Sequence, residues 1–288
     1  MKKKDLNNIF PNVQKNVPLS SFSTFGIGGK AKWFYQVKEE KNLIQLVKFC
    51  KENNIPYFVL GGGSNVLFSD DSFKGLVIKI DTSDYEIKGE KIIVKSGVSL
   101  SKLVDLAYKN SLSGLEFALG IPGTIGGAVA INASAAGHKM SEIIEKVKIL
   151  TEEGGIKELS FVDNLFKDKK GIILEIVLRL KKQKKEKIKE EMQKALSLRK
   201  NQHTGKSAGC VFKNPPLLSA GKLIEECGLK GKKIGAAQIS EKHANFIINL
   251  GSAKASDVLK LITYIKEKVK AKFNIDIKLE IVLVKNND

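Results

Sequence analysis

The chain has 288 residues, 42% of them apolar and 28% charged, and 49 Lys and Arg against 31 Asp and Glu give a formal net charge of +18. That size and balance suit a globular protein of two or three subdomains. No apolar run approaches the roughly 18 residues a bilayer-spanning helix needs, and "MKKKDLNNIFPNV" carries no apolar leader segment. A cytoplasmic protein with no membrane partner is expected.

Three cysteines, Cys50, Cys210 and Cys227, form an odd set without CxxC spacing. This argues against a disulfide framework or a cysteine-built zinc site, and no metal is expected. The charge invites a nucleic-acid reading, yet Arg179 and Arg199 are the only arginines. Proteins that read phosphates and bases lean on arginine forks. The densest lysine run, 181–194, interleaves glutamates with Ile188, Met192, Ala195 and Leu196 at helical spacing, the pattern of a solvated helix face. No nucleic-acid partner is expected, and a basic surface also suits a phosphate-bearing substrate.

In chain order, 31–37 reads as a strand, 40–54 as a helix, and 56–67 as a buried strand entering a glycine loop. Strands are expected at 76–80 and 91–97, followed by a helix at 99–114 stopped by Gly114. A glycine-rich stretch at 120–128 precedes strands at 145–150 and 171–180, and 181–200 is a lysine-rich helical connector. Beyond it, 208–214, 232–240 and 244–250 read as short strands. A long helix over 256–272 has Val258, Leu261, Ile262, Ile265 and Val269 as its apolar stripe, and 275–284 is a closing strand. The order is α+β, without the steady βαβ rhythm of a doubly wound sheet.

Three glycine-rich segments stand out. "LGGGSNVL" (60–67) offers Gly61, Gly62 and Gly63 with Ser64 and Asn65. "LGIPGTIGGAVAINASA" (119–135) offers Gly120, Pro122, Gly123, Thr124, Gly126, Gly127 and Ala128, and "STFGIGGKA" (23–31) repeats the theme. None is a P-loop or a spaced-glycine dinucleotide fingerprint. Three backbone nests in one chain suit a pyrophosphate-bearing ligand, although one such loop alone is as readily a tight turn. In "SAGCVFKNPP" (207–216), Cys210 has no partner suggesting a metal, and no base in the sequence marks it as a nucleophile. An acid or a packed thiol remains.

These motifs, with "QISEKHANFIIN" (238–249), resemble in order and spacing the UDP-N-acetylenolpyruvoylglucosamine reductases, over about 18–284. The resemblance implies two FAD-binding subdomains, here 1–80 and 81–190, and a C-terminal α+β substrate-binding domain at 191–288. It implies FAD among the glycine loops, with 61–65 and 120–128 at its diphosphate and ribityl region, and NADPH as reductant. The implied reaction sends a flavin hydride to the methylene carbon of an enolpyruvyl ether on a UDP-sugar and a proton to the neighbouring carbon. Cys210 stands where the family usually has serine, as proton donor; a thiol, with an ordinary pKa of about 8.5, keeps that role at a different pH dependence. By the same resemblance Glu280 stabilises the enol-like charge, Lys213 and Asn214 hold substrate carboxylate or diphosphate, and His243 and Asn245 line the site.

One element departs from the family. Its Tyr-Arg-x-Ser falls on "FVDN" (161–164), so Val162 replaces the arginine, and Lys167, Lys169 or Lys170 is a substitute without a bidentate fork. The stretch 181–206 has no tyrosine, which implies the type lacking a substrate-covering tyrosine loop. A monomer is expected. The rival readings are an FAD-dependent oxidase of a small organic substrate and a non-catalytic nucleic-acid-binding relative.

Overall fold

Alternating apolar and polar residues in "KIIVK", "IEKVKIL" and "IILEIVLR" dictate strands with one buried face, and the computed structural model builds a sheet from them. It describes residues 6–160, 171–199 and 205–286. The chain divides into two units: the described residues of Met1–Val13, Phe34–Gly62 and Val77–Lys200, and those of Gln14–Trp33, Gly63–Leu76 and Asn201–Asp288.

In the first unit, five antiparallel strands run in the order Ile156–Ser160, Ile144–Leu150, Ile172–Arg179, Lys91–Lys95 and Tyr85–Lys88. One face packs Ile92, Val94, Val147, Ile176 and Leu178 against Leu100, Leu103 and Val104 of the helix Leu100–Lys109 and Ile125 and Val129 of the helix Ile125–Ala130. Each fully buried aliphatic side chain contributes about 1.5–3 kcal/mol. On the register, Glu175 lies opposite both Lys95 and Lys148. Glu40, at the start of the helix Glu40–Glu52, joins them: Lys95 Nζ stands 2.6 Å from Glu40 Oε2 and 2.8 Å from Glu175 Oε2, and Lys148 Nζ 2.7 Å from Glu40 Oε1.

In the second unit the helix Ala255–Phe273 buries the expected stripe of Val258, Leu261, Ile262, Ile265 and Val269 against Phe25, Ile27, Leu67, Val211 and Phe212. Asp70 caps its start, accepting from the amides of Ala255 at 2.6 Å and Ser256 at 3.0 Å. Asn274, with φ of 56°, closes it in the left-handed conformation. The strand Val282–Val284 pairs in parallel with Val66–Phe68, and Lys233–Ile234, Ala237–Ile239 and Ile247–Asn249 form a small antiparallel sheet.

Several local expectations change. The helix expected to run to Gly114 ends at Lys109, because Ser111 turns left-handed at φ 57° and Leu112–Ser113 pairs with Lys181–Lys182. The closing strand shrinks from 275–284 to Val282–Val284, and 208–214 contributes only the isolated bridges at Cys210 and Phe212. A helix at Ala220–Glu226 lies where none was expected, its N-cap Ser219 accepting from Lys222 N.

Burial would raise the Glu40 carboxyl, but hydrogen bonds from Lys148 and Lys95 outweigh it and hold the carboxyl below its ordinary 4.5. A depressed acid stabilises the fold above the unfolded value and loses that contribution as pH falls through the folded one. Glu40→Gln therefore lowers the neutral-pH Tm, by about 2–4 °C for a loss on the order of 1 kcal/mol at this partly exposed site. In a calorimetric pH series the difference from the unsubstituted protein shrinks below pH 4.5.

Candidate active site

Within the first unit, Gly61 and Gly62 meet the glycine-rich stretch at 123–127. Thr124 caps the helix Ile125–Ala130, its Oγ1 accepting from Gly127 N at 3.3 Å. Ile125 N donates to Val98 O at 2.8 Å and Gly126 N to Ser96 O at 2.9 Å, so the first amides of this helix are committed to protein acceptors. The glycines permit backbone contact. A Cβ on Gly62 would run into Gly123 Cα; one on Gly61 would stand 2.8 Å from Thr124 Oγ1, and one on Gly126 2.6 Å from Ser96 Cβ.

Around these residues lies a cleft of about 190 Å³, lined by Val59, Gly61, Ile80, Ser96, Thr124, Gly126, Gly127, Ala130, Gly171, Ile172 and Ile173. Every lining residue is uncharged, and the polar groups are two hydroxyls and peptide backbone. Gly61, Thr124, Gly126 and Gly127 are thus brought together. Gly120 and Pro122 lie exposed outside the lining, and Ala128 is buried in the core. Gly120 takes a positive φ of 78° and its carbonyl accepts from Arg199 Nη2 at 3.1 Å. Ser96 and Gly171 were missed in the sequence; their only signal is a small residue at a strand end.

Gly63, Ser64 and Asn65 belong to the second unit. Gly63, at φ 69°, packs where a Cβ would meet the Phe22 carbonyl oxygen, and its own carbonyl accepts from Thr24 N at 3.0 Å. The segment 23–29 is consumed in such bracing: Thr24 Oγ1 donates to Ser207 O at 2.7 Å, and Asn249 Nδ2 donates to Phe25 O at 3.0 Å.

The acid candidates gather in the same unit. Cys210, half-buried, bridges Phe246, and Val211 N donates to Asn245 O at 2.8 Å. On the other side, Glu280 N donates to Val211 O at 2.8 Å and Lys213 N to Lys278 O at 2.8 Å. Cys210 is therefore one residue from the peptide that carries Glu280. Burial pushes the Glu280 carboxyl above its ordinary 4.5, with Lys213's charge acting against that rise. Burial draws His243 below 6.5; its Nδ1 accepts from Asn245 N at 3.3 Å, which makes it a neutral ring with the proton on Nε2.

Two residues expected at the substrate are engaged elsewhere. Asn245 is 3% exposed, and its side chain accepts from Phe212 N at 2.9 Å and donates to Phe212 O at 2.8 Å. It braces the Cys210 segment. Asn214 is exposed and its Oδ1 accepts from Ala220 N at 3.0 Å, capping the helix Ala220–Glu226. Lys213 is exposed.

Residues 31–160 match the FAD binding domain family, and residues 200–284 match the UDP-N-acetylenolpyruvoylglucosamine reductase C-terminal domain. The reductase of Caldanaerobacter subterraneus subsp. tengcongensis is 39% identical over 279 residues, covering 93% of this chain and 92% of its own. That of Bacillus subtilis is 39% identical over 287 residues, covering 96% and 95%. The crystal structure of the Thermus caldophilus enzyme superposes with a TM-score of 0.81 at 36% identity, covering 95% of this chain and 99% of that one. The chain belongs to the UDP-N-acetylenolpyruvoylglucosamine reductase family. Its α+β class, with an FAD-binding portion followed by the reductase C-terminal domain, is that of the family.

The lining of the first-unit cleft fits the reductase cofactor: neutral hydroxyls and glycine backbone admit part of a dinucleotide without placing a carboxylate beside its phosphates. Val162, which the resemblance sets against the family's arginine, and the candidate substitutes Lys167, Lys169 and Lys170 lie outside the described residues. Neither arginine in the chain is idle: Arg179 Nη2 pairs with Glu145 Oε2 at 2.7 Å, and Arg199 holds Gly120. His138 Nδ1 stands 2.9 Å from Glu142 Oε2. Cys50 is fully buried and its thiol is pushed up to about 12, a core residue; Cys227 is half-buried against the second unit's core.

A raised acid favours the protonated folded state, so Glu280 costs stability as pH rises above 4.5. Glu280→Gln is expected to raise the neutral-pH Tm, and thermal scans at low pH to remove the difference. Gly62→Ala, forced against the Gly123 backbone, lowers stability by more than about 1 kcal/mol and weakens FAD retention, measured by denaturant titration and flavin fluorescence.

Proposed function

We propose that this chain reduces the enolpyruvyl ether of UDP-N-acetylglucosamine enolpyruvate to UDP-N-acetylmuramate for peptidoglycan synthesis, with FAD as bound cofactor and NADPH as reductant. Near-full-length similarity to reductases, together with the FAD-binding match, supports the reaction. The observation that carries the site assignment is the backbone bond joining Glu280 to Val211, beside Cys210.

FAD, held by the glycine segments, would supply hydride chemistry at the methylene carbon, with NADPH as the source of the electrons. Negative charge then develops on the neighbouring carbon and, by resonance, on the substrate carboxylate. Cys210 Sγ–H gives its proton to that carbon and is reprotonated from solvent, so one NADPH and one proton are consumed per product. Glu280, whose burial favours the protonated form, offers a hydrogen bond to the charged carboxylate. Lys213 opposes that charge without a desolvation cost, because it is exposed. His243, neutral, adds a donor at Nε2. Gly61, Gly62, Gly63, Ser64, Asn65, Gly120, Pro122, Gly123, Thr124, Gly126, Gly127 and Ala128 are assigned to the cofactor-binding segments, Asn65 by its main chain, since its side chain donates to the Glu280 carbonyl.

In this reading 1–80 and 81–190 are the FAD-binding subdomains, and 191–288 binds substrate. Among the described residues no helix is long and apolar enough to cross a membrane. The protein acts in the cytoplasm as a monomer, and its basic surface serves a phosphorylated substrate, not nucleic acid.

Purified protein is expected to show flavin absorbance, bleached by NADPH and restored by the enolpyruvyl substrate; a colourless protein that FAD cannot reconstitute overturns the reading. Cys210→Ser keeps turnover within about tenfold, and Cys210→Ala loses about 10²–10⁴ in kcat. Unchanged turnover and solvent-isotope incorporation in Cys210→Ala would remove Cys210 as the proton donor.

A further inference from the structure

The parallel pairing of Val66–Phe68 with Val282–Val284 begins at Val66 and Val282, and Val282 N donates to Asn65 O at 2.9 Å. One step before this ladder starts, Asn65 Nδ2 donates to the carbonyl of Glu280 at 3.1 Å. The same Glu280 peptide is held on its amide side by Val211 O at 2.8 Å. Glu280 is thus pinned at both peptide groups, by the Cys210 segment and by the last residue of the triple-glycine loop. Its side chain is half-buried beside the charge of Lys213. A carboxyl that must meet charge developing on substrate needs its backbone fixed, since a displacement of about 1 Å costs on the order of a hundredfold in rate.

We infer that Asn65 is a positioning residue for Glu280, acting through the Glu280 carbonyl and not by holding the cofactor with its side chain. The inference rests on the reductase reading for what Glu280 does, but the bond itself is observed in this chain whatever its reaction. A side-chain amide suits this role because it donates to a carbonyl at a place where the strand has ended, and it carries no charge beside the carboxylate. The glycine loop then has two duties, with its backbone packing at Gly63 and its terminal side chain setting the acid group.

Asn65→Asp is isosteric and removes the donor. On the FAD-loaded protein, NADPH bleaching and substrate-dependent recovery of flavin absorbance are followed separately by stopped flow, with FAD affinity from fluorescence titration. The expected result is recovery slowed at least about tenfold, bleaching and FAD affinity within about threefold, and little further loss when Asn65→Asp is added to Glu280→Gln. Equal losses in both backgrounds, or weakened FAD affinity with normal recovery at saturating FAD, overturn the inference. Hydrogen exchange of the apoprotein gives a readout independent of turnover: the 280–282 amides exchange faster in Asn65→Asp while the helix Ala255–Phe273 is unchanged, and unaltered 280–282 exchange also overturns it. If the unsubstituted protein is bleached by NADPH but the enolpyruvyl substrate restores nothing, the reductase reading fails, and the exchange result still decides the role of Asn65.

Discussion

In the second unit, hydrogen bonds from the Cys210 segment and from Asn65 hold the Glu280 backbone on both sides. Glu280 sits where burial disfavours its charged form, and a group in that position persists only if the surrounding backbone leaves it no alternative site. The restraint is a series of hydrogen bonds linking four segments: Asn245 O accepts from Val211 N, Val211 O accepts from Glu280 N, and the Glu280 carbonyl accepts from Asn65 Nδ2. Asparagines recur in this series because their side chains reproduce the donor and acceptor of a peptide without requiring strand geometry. Asn245 satisfies both polar groups of Phe212, and Asn249 reaches the Phe25 carbonyl. Irregular segments can then be buried without orphaned backbone groups, which is what a site built from short bridges requires.

The first unit meets a different constraint. Its cleft exists because backbone approaches backbone, with Gly62 against Gly123 and Gly126 against Ser96, at separations no side chain tolerates. Glycine richness there is chiefly a packing requirement, and the open space left beside Gly61 and Gly127 is its by-product. The ion pairs of Glu40, Lys95, Lys148 and Glu175 secure the polar side of the same sheet, so the strand that delivers Ser96 to the cleft is fixed by Lys95 one residue earlier.

How legible this was depended on the range of the interactions. The long helix, the strands of the five-stranded sheet at 91–95, 144–150 and 172–179, and the order of motifs follow from periodicity and local chemistry. The three-residue strands do not, since their pairing is set by partners distant in sequence, as Val66 with Val282. Gly114 looked like a helix stop, but Ser111 had already turned the chain. Asn245 and Asn214 looked like substrate ligands because their motif is family-like, yet their side chains are taken up by Phe212 and Ala220. No single-sequence pattern distinguishes an asparagine facing a ligand from one facing a peptide.

The same backbone series bears on the cysteine at 210, where the family resemblance implies a serine. The main chain around residue 210 is held on both sides: Val211 N and O and Phe212 N and O are hydrogen-bonded, and Cys210 forms a bridge with Phe246. These main-chain bonds can form with either a hydroxyl or a thiol at the position. The residue is half-buried, so neither side chain is forced into a tight cavity by the exchange. Under the proposed reaction, exchanging the hydroxyl for the thiol changes the acidity of one atom, while the backbone bonds at Val211 and Phe212 remain available to hold the segment.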